Sequence, residues 1–159
     1  MFNKIILATD GSKDALKAAS VCKELLDKNP EATLLVVHAR SHLPGVTGIE
    51  IGQSTMDDPR IDTAQYGTLD VTMVNEYLTS VAKSTIGSTT KLFESYEDRV
   101  SSAIETGDPA PVIADKAREI GADLVVVGSR GHTGIGSLFM GSVSTKIVQI
   151  APCSVMVVR

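Results

Sequence analysis

The sequence predicts a three-layer α/β/α fold, in which a five-stranded, parallel, doubly wound sheet carries helices on both faces. Two observations lead there. The short apolar runs "KIILATD", "ATLLVVHA", "DLVVVG" and "SVMVVR" lack the strict alternation of a half-exposed strand, so they read as strands covered on both sides. Segments with helical spacing and helix-capping residues lie between them. This β-α alternation needs crossover connections, which lay helices over both faces of a parallel sheet.

Each element follows in order. The first strand, Lys4 to Asp10, ends at Gly11-Ser12. Ser12 suits an N-cap, Asp14 suits the positive end of the helix dipole, and Ala15, Ala18, Ala19, Cys22 and Leu26 recur at helical spacing. Asn29-Pro30 ends this helix, and Ala32 to Ala39 supplies the second strand. Residues 40–68, punctuated by Pro44, Gly45, Gly48, Gly52, Pro59 and Gly67, show little periodicity. So long a loop in a compact domain is either functional or disordered. A helix is expected over Leu69 to Ser84, with Val71, Val74, Leu78 and Val81 on its inward stripe and Gly87 as its limit. Glu97 to Glu105 is weakly strand-like through Val100, Ala103 and Ile104.

The second half carries stronger signals. Asp108 and Pro109 suit the cap and first position of a helix that Gly121 ends. Asp123 to Gly128 is the next buried strand. After a glycine-rich stretch, Ser142 to Ile150 reads as a helix with Val143, Ile147 and Ile150 inward. Pro152 stops it, and Ser154 to Arg159 closes the sheet.

Length and composition narrow the function. At 159 residues the chain is expected to form one domain with its own core. With 43% hydrophobic and 21% charged residues it reads as soluble and globular. No apolar run approaches the roughly 18 residues of a membrane span. The N-terminal apolar run is cut by Asp10 too early for a signal peptide, so cytoplasmic localisation is expected. Cys22 and Cys153 form no CxxC pair and read as two reduced, packed thiols. A net charge of −4, no Trp and 4% aromatics argue against a nucleic-acid binder.

In a doubly wound sheet, ligands bind beyond the carboxyl ends of the strands, where the winding reverses. If strands one and four are neighbours there, Asp10 and Gly128 face one crevice. The segment Val125 to Val148, "VVVGSRGHTGIGSLFMGSVSTKIV", places Gly128, Gly131, Gly134, Gly136 and Gly141 between a strand and a helix. Glycines there would let backbone amides approach phosphate and take φ > 0 where a nest requires it. The helix start adds an anion site, and the hydroxyls of Ser142 and Ser144 can donate further bonds. A flexible surface loop would also accommodate these glycines. No Walker A lysine precedes Ser142, and "TDGSKDA" after the first strand is not a dinucleotide fingerprint. What remains is G-x2-G-x9-G-[S/T], matched by Gly128, Gly131, Gly141 and Ser142.

With "KIILATDGS" at the start and "VVVGSRGHTGIGSLFMGSVSTKIVQIAPCSVMVVR" at the end, the chain resembles the universal stress proteins of the nucleotide-binding, single-domain, UspA-like kind. "TGDPAPVI" and "IGADLVVVG" extend the likeness over most of the second half. The resemblance implies a Rossmann-like fold of the adenine nucleotide alpha hydrolase-like type and a cytoplasmic stress-response role. The implied ligand is ATP, or AMP or ADP, with Mg²⁺ or Mn²⁺ as an accompanying ion. Carried over, Ala8, Thr9 and Asp10 would line the base and ribose side, and Ala39 would meet the adenine with its backbone. Gly128, Arg130 and Gly131 at one end of the loop, and Gly141, Ser142, Val143 and Ser144 at the other, would hold ribose and phosphates. A homodimer through the C-terminal strand is implied as well, and an edge strand there would invite such pairing. No protein partner is specified.

Elementary chemistry bounds these roles. Asp10 would repel a triphosphate, so its partner is the base, the ribose or a divalent ion, unless it is simply a turn residue. Arg130 either pairs with phosphate or is solvated. His132 reads as an exposed loop residue with no carboxylate placed to orient it, and His38 as a satisfied strand-end histidine. A cradle of amides and hydroxyls with one obvious carboxylate favours a nucleotide-dependent regulatory protein over an enzyme. A slow ATPase and an interaction module that binds no nucleotide are the alternatives.

Overall fold

The computed structural model describes residues 1–40, 71–132 and 140–159, with side chains from residue 75 onward in the second range. Its elements are β1 (Lys4–Ala8), α1 (Lys13–Lys28), β2 (Thr33–Arg40), α2 (Val71–Thr90), a 3₁₀ segment (Lys91–Arg99) and β3 (Val100–Thr106). They continue with α3 (Pro109–Ile120), β4 (Leu124–Gly128), α4 (Ser142–Ile150) and β5 (Ser154–Val158). All strand pairs are parallel, in the order β3-β2-β1-β4-β5. The chain therefore winds outward from β1 to β3, returns beside β1, and winds outward again through β4 to β5. The reversal lies between β1 and β4, paired from Ile5↔Leu124 to Ala8↔Val127. This is the expected doubly wound α/β fold.

The unbroken apolar character of the strands follows from two cores. Ile5, Leu7, Leu34, Val36 and Val126 face one way, onto Ala18, Ala19, Cys22 and Leu26 of α1 together with Ile86 and Phe93. Ile6, Val37, Val125 and Val127 face the other way, onto Ala110, Ile113 and Ala117 of α3 and Ile147 of α4. Successive strand residues thus alternate between two buried faces, and each fully buried Ile or Leu contributes about 1.5–3 kcal/mol. The small alanines of α1 and α3 let both helices lie close to the sheet.

Helix ends follow the local chemistry. Ser12 caps α1 from extended backbone, its Oγ accepting from the Ala15 amide at 3.3 Å. At the other end, Arg99 Nη1 donates to the carbonyls of Leu26, Asn29, Pro30 and Ala32, closing α1 from the 3₁₀ segment. Gly121 ends α3 in the left-handed region at φ 62°, where a side chain would be strained. Asp108 occupies the α3 cap position, but its carboxylate pairs with Lys146 at 2.6 Å instead of capping.

Several expectations are corrected. β1 stops at Ala8, which leaves Thr9 and Asp10 in the connection to α1. Glu97 to Arg99 are 3₁₀, and β3 begins at Val100. Ile104 is exposed on this edge strand. α2 runs through Gly87 to Thr90, because a helix packed along one face absorbs the roughly 1 kcal/mol that an internal glycine costs. Its buried face is Ala82, Ile86 and Thr89, whereas Val81 is exposed. Val71 and Val74 lie outside the described side chains, as the 41–68 part of the expected loop lies outside the described residues. On α4, Ser144 and Ile147 are buried and Val143 is exposed. Cys22 is buried and Cys153 half-buried, both as free thiols. Among the described residues, no helix is long and apolar enough to cross a membrane.

Candidate functional site

A cleft of about 560 Å³ opens at the carboxyl ends of the strands, across the point where the winding reverses. It falls within the range typical of small-molecule sites, about 300–1,000 Å³. Its floor is the ends of β1, β2 and β4, with Ala8, Val37, Ala39 and Val127. Pro109 and Ile113 of α3 supply an apolar wall. Thr9 and Asp10 come from the β1–α1 connection, and Gly128, Arg130 and Gly131 from the stretch after β4. Gly141, Ser142, Val143 and Ser144 bring the start of α4. Every residue that the family resemblance carries over to the site therefore borders this one cavity. Ala15, Val37, Pro109, Ile113, Val127, His132 and Met140 border it too. The apolar ones among them were missed because core-type residues carry no motif, and their place next to strand ends was the available signal; His132 was read as an exposed loop residue with no site role. Gly134 and Gly136 lie outside the described residues.

The cleft has two chemically different ends. Alanine, valine, isoleucine and proline side chains make one end apolar. At the other, the first intrahelical bond of α4 runs from the Thr145 amide to the Gly141 carbonyl at 3.0 Å. The amides of Ser142, Val143 and Ser144 precede it, and a helix leaves such donors without an intrahelical acceptor. They suit an anion, helped by the helix dipole. The Ser144 hydroxyl does not join them as expected: it is buried and donates to the carbonyls of Ser129 and Gly141, each at 3.0 Å.

The glycines act by close approach rather than by positive φ. Among the described residues only Gly11, Gly107 and Gly121 have left-handed φ, so Gly128, Gly131 and Gly141 do not form the expected φ > 0 nest. A Cβ on Gly131 would lie 2.5 Å from Asp10 Oδ2, and one on Gly141 would lie 3.3 Å from the Ser129 carbonyl oxygen. One on Gly128 would lie 2.6 Å from the backbone of α1, at the Asp14 carbonyl carbon. These residues are small because two chain segments meet there.

Polar contacts join those two segments. Asp10 Oδ1 accepts from the Ser12 amide at 2.9 Å, a turn-forming bond, and Oδ2 accepts from the His132 amide at 3.3 Å. His132 Nε2 donates to the Asp10 carbonyl at 2.8 Å, which requires the proton on that nitrogen. The exposed loop histidine is thus tied to Asp10 through main-chain groups of both residues, a link that sequence separation concealed. His38 Nδ1 likewise donates to the Thr9 carbonyl at 2.8 Å, the satisfied strand-end role expected for it. The Thr9 hydroxyl is taken up by Thr89 Oγ1 and the Gly11 amide.

Arg130 is neither simply solvated nor aimed solely at the cleft. Its Nε donates to Asp14 Oδ2 at 3.1 Å, and Ser129 Oγ donates to the same oxygen at 2.9 Å. The Ser129 hydroxyl bond, with help from Lys17 and Arg130, holds the Asp14 carboxyl below its ordinary pKa of 3.8 against the opposing effect of burial. Sequence reading gave Asp14 only a helix-dipole role. Among the described residues no group of three or more His, Cys, Asp or Glu could hold a metal ion. Asp10 is the carboxylate that lines the cleft, and both of its oxygens already accept amide hydrogens.

Comparison with known proteins agrees with this architecture. The sequence model of the Universal stress protein family matches residues 1–159. The chain is 36% identical over 159 residues to a Thermus aquaticus universal stress protein encoded in the QAH/OAS sulfhydrylase 3′ region, covering all of both chains. It is 31% identical over 166 residues to universal stress protein YxiE of Bacillus subtilis, again covering all of both. Among solved structures, universal stress protein UspA of Lactobacillus plantarum superimposes with a TM-score of 0.73 at 20% identity, over 99% of this chain and 98% of that one. A universal stress protein family protein of Arabidopsis thaliana with AMP bound gives 0.60 at 18% identity, over 98% and 90%. A universal stress protein in complex with cAMP gives 0.56 at 18% identity, over 99% and 97%. Matched along its whole length by both the family pattern and close relatives, this chain belongs to the universal stress protein family.

Proposed function

We propose that this protein binds an adenine nucleotide in the cleft between β1 and β4, and that occupancy of the cleft governs its regulatory role in the stress response. One observation carries the reading: the residues implied by family resemblance, drawn from four separate segments, border a single cavity with an apolar end and an amide-lined end. The apolar end suits a purine against Ala39, Val37 and Ile113. The amides of Ser142, Val143 and Ser144, which lack an intrahelical acceptor at the start of α4, suit phosphate oxygens. The AMP and cAMP held by two structurally similar proteins are of the same ligand class.

ATP is the proposed ligand, with AMP or ADP as competitors. Mg²⁺ or Mn²⁺, if bound, would be held at Asp10 in place of one of its amide bonds and would offset phosphate charge. Holding the nucleotide is favoured over cleaving it. Efficient phosphoryl transfer calls for dedicated metal carboxylates and a group that positions the nucleophile. Asp10 is instead engaged in joining the two loops. The proposed assembly is a homodimer through β5, an edge strand whose outer hydrogen-bonding side has no strand neighbour among the described residues.

Purified protein, desalted and then denatured, should release an adenine nucleotide, or else show a thermal upshift on adding ATP with Mg²⁺. A nucleotide-free supernatant together with an unmoved melting temperature would remove the basis of this reading. Phosphate release that disappears in Asp10→Ala would instead favour a slow ATPase.

A further inference from the structure

We propose that Asp14 is a positioning residue for the phosphate side of the cleft, holding Arg130 by its Nε so that the remaining guanidinium N–H groups serve the bound nucleotide. The inference rests on the nucleotide-binding reading above. Asp14 does not border the cleft and would act only through Arg130.

The geometry is specific to this pair. The Asp14 side chain is only 8% exposed, and Oδ2 receives both Arg130 Nε at 3.1 Å and Ser129 Oγ at 2.9 Å. The Arg130 carbonyl accepts from Ser12 Oγ at 3.2 Å, so main chain and side chain alike are tied to the start of α1. The Nε contact uses one of the five N–H donors of a guanidinium. Among the described residues, Arg130 Nη1 and Nη2 donate to nothing, while Arg130 borders the cleft beside the phosphate-side amides.

Charge supply explains why its placement matters. No Lys or Arg occurs between Arg130 and Lys146 in the sequence, and Lys146 is paired with Asp108 at 2.6 Å. Arg130 is the only Lys or Arg bordering the cleft among the described residues. An arginine on a free stem loses rotamer freedom whenever it engages a phosphate. One already held at Nε has given up much of that freedom in the unliganded protein, so less is lost on binding. Lys17 Nζ, 3.3 Å from Asp14 Oδ1, offsets part of the carboxylate charge that would otherwise oppose phosphate.

Calorimetric titration of adenosine, AMP and ATP into wild type, Asp14→Asn, Arg130→Gln and the double variant tests this. Arg130→Gln should weaken AMP and ATP by on the order of 10-fold, the scale of one charge-assisted hydrogen bond. Asp14→Asn should weaken them several-fold, adenosine should be unchanged in both, and the double variant should be no weaker than Arg130→Gln. Unchanged or tighter ATP binding by Asp14→Asn would overturn the proposal, as would a parallel loss for adenosine or multiplicative effects in the double variant. Should Asp14→Asn fail to fold, Arg130→Lys replaces it, since it keeps the cation but lacks the Nε bond. Loss of AMP and ATP affinity there supports the proposal, and wild-type affinity refutes it. If wild type binds none of the three ligands, the nucleotide reading itself falls; binding of adenosine with no response of AMP or ATP to these variants removes the Asp14 role alone.

Discussion

Gly128 and Asp14 are in backbone contact at the mouth of the cleft. A Cβ on Gly128 would stand 2.6 Å from the Asp14 carbonyl carbon and 2.7 Å from the Ala15 nitrogen. Neither atom can turn aside as a side-chain tip could, so the end of β4 and the first turn of α1 would have to separate. Gly128→Ala is expected to destabilise the fold by about 1–3 kcal/mol, as overpacking does. Denaturant titration should register this as a lower midpoint. An unchanged midpoint would mean that the two segments separate without cost.

Gly131 and Gly141 should behave differently. A methyl group on Gly131 meets the Asp10 carboxylate, a side-chain group, and one on Gly141 only approaches the Ser129 carbonyl oxygen. Gly131→Ala should displace Asp10 from the Ser12 and His132 amides and weaken nucleotide, with a smaller stability loss than Gly128→Ala. Gly141→Val should abolish nucleotide binding while the melting temperature stays near wild type. Retained affinity in Gly141→Val would contradict the placement of phosphate at the start of α4.

Asp14 predicts a pH dependence of stability. Its native pKa lies below 3.8, chiefly because Ser129 donates to the charged carboxylate. Between 3.8 and the native value, the unfolded chain takes up a proton that the native chain does not. The stabilisation is therefore complete above pH 3.8, declines as pH falls through that window, and is gone below the native pKa. Asp14→Asn should lower stability at pH 7 and flatten this part of the acid limb. Parallel acid-unfolding curves for variant and wild type would show that the carboxylate has no such role.

The two thiols should differ in reactivity. Burial pushes the Cys22 thiol up to about 12, and Cys22 packs inside the α1 face of the core. Cys153 is half-buried beside β5, and its thiol is raised less. A thiol reagent at pH 8 should modify Cys153 first in native protein and reach Cys22 only on unfolding. Equal rates for Cys22→Ser and Cys153→Ser variants would refute this ordering.

Assembly through β5 makes a further expectation. Charge on an edge strand opposes pairing with a second chain. Ser154→Lys, at the exposed start of β5, should shift a dimer toward monomer in sedimentation velocity at micromolar concentration. A wild-type protein already monomeric under those conditions would remove the proposed dimer.

Much of this molecule is legible locally. Doubly apolar strands, the Ser12 cap and the left-handed Gly121 depend on residues within a turn or two of each other, so their signals survive in one dimension. The inward faces of α2 and α4 were harder. Val81 looks as apolar as Ala82, yet it is exposed, and Val143 borders the cleft rather than the core that Ile147 joins, because a neighbouring element and not residue type decides which stripe is covered. Gly128 was read as a phosphate-approaching glycine, whereas its smallness is required by the backbone of α1.

The sequence by itself determined the β-α order and the family resemblance, since each is encoded by periodicity, caps or a contiguous motif. Only the tertiary structure decided that Asp14 holds Arg130 and that Asp10 bonds the amide of His132. Those contacts exist because β1 and β4, remote in the chain, lie side by side at the reversal of winding. A hydrogen bond across more than a hundred residues leaves no local pattern to read.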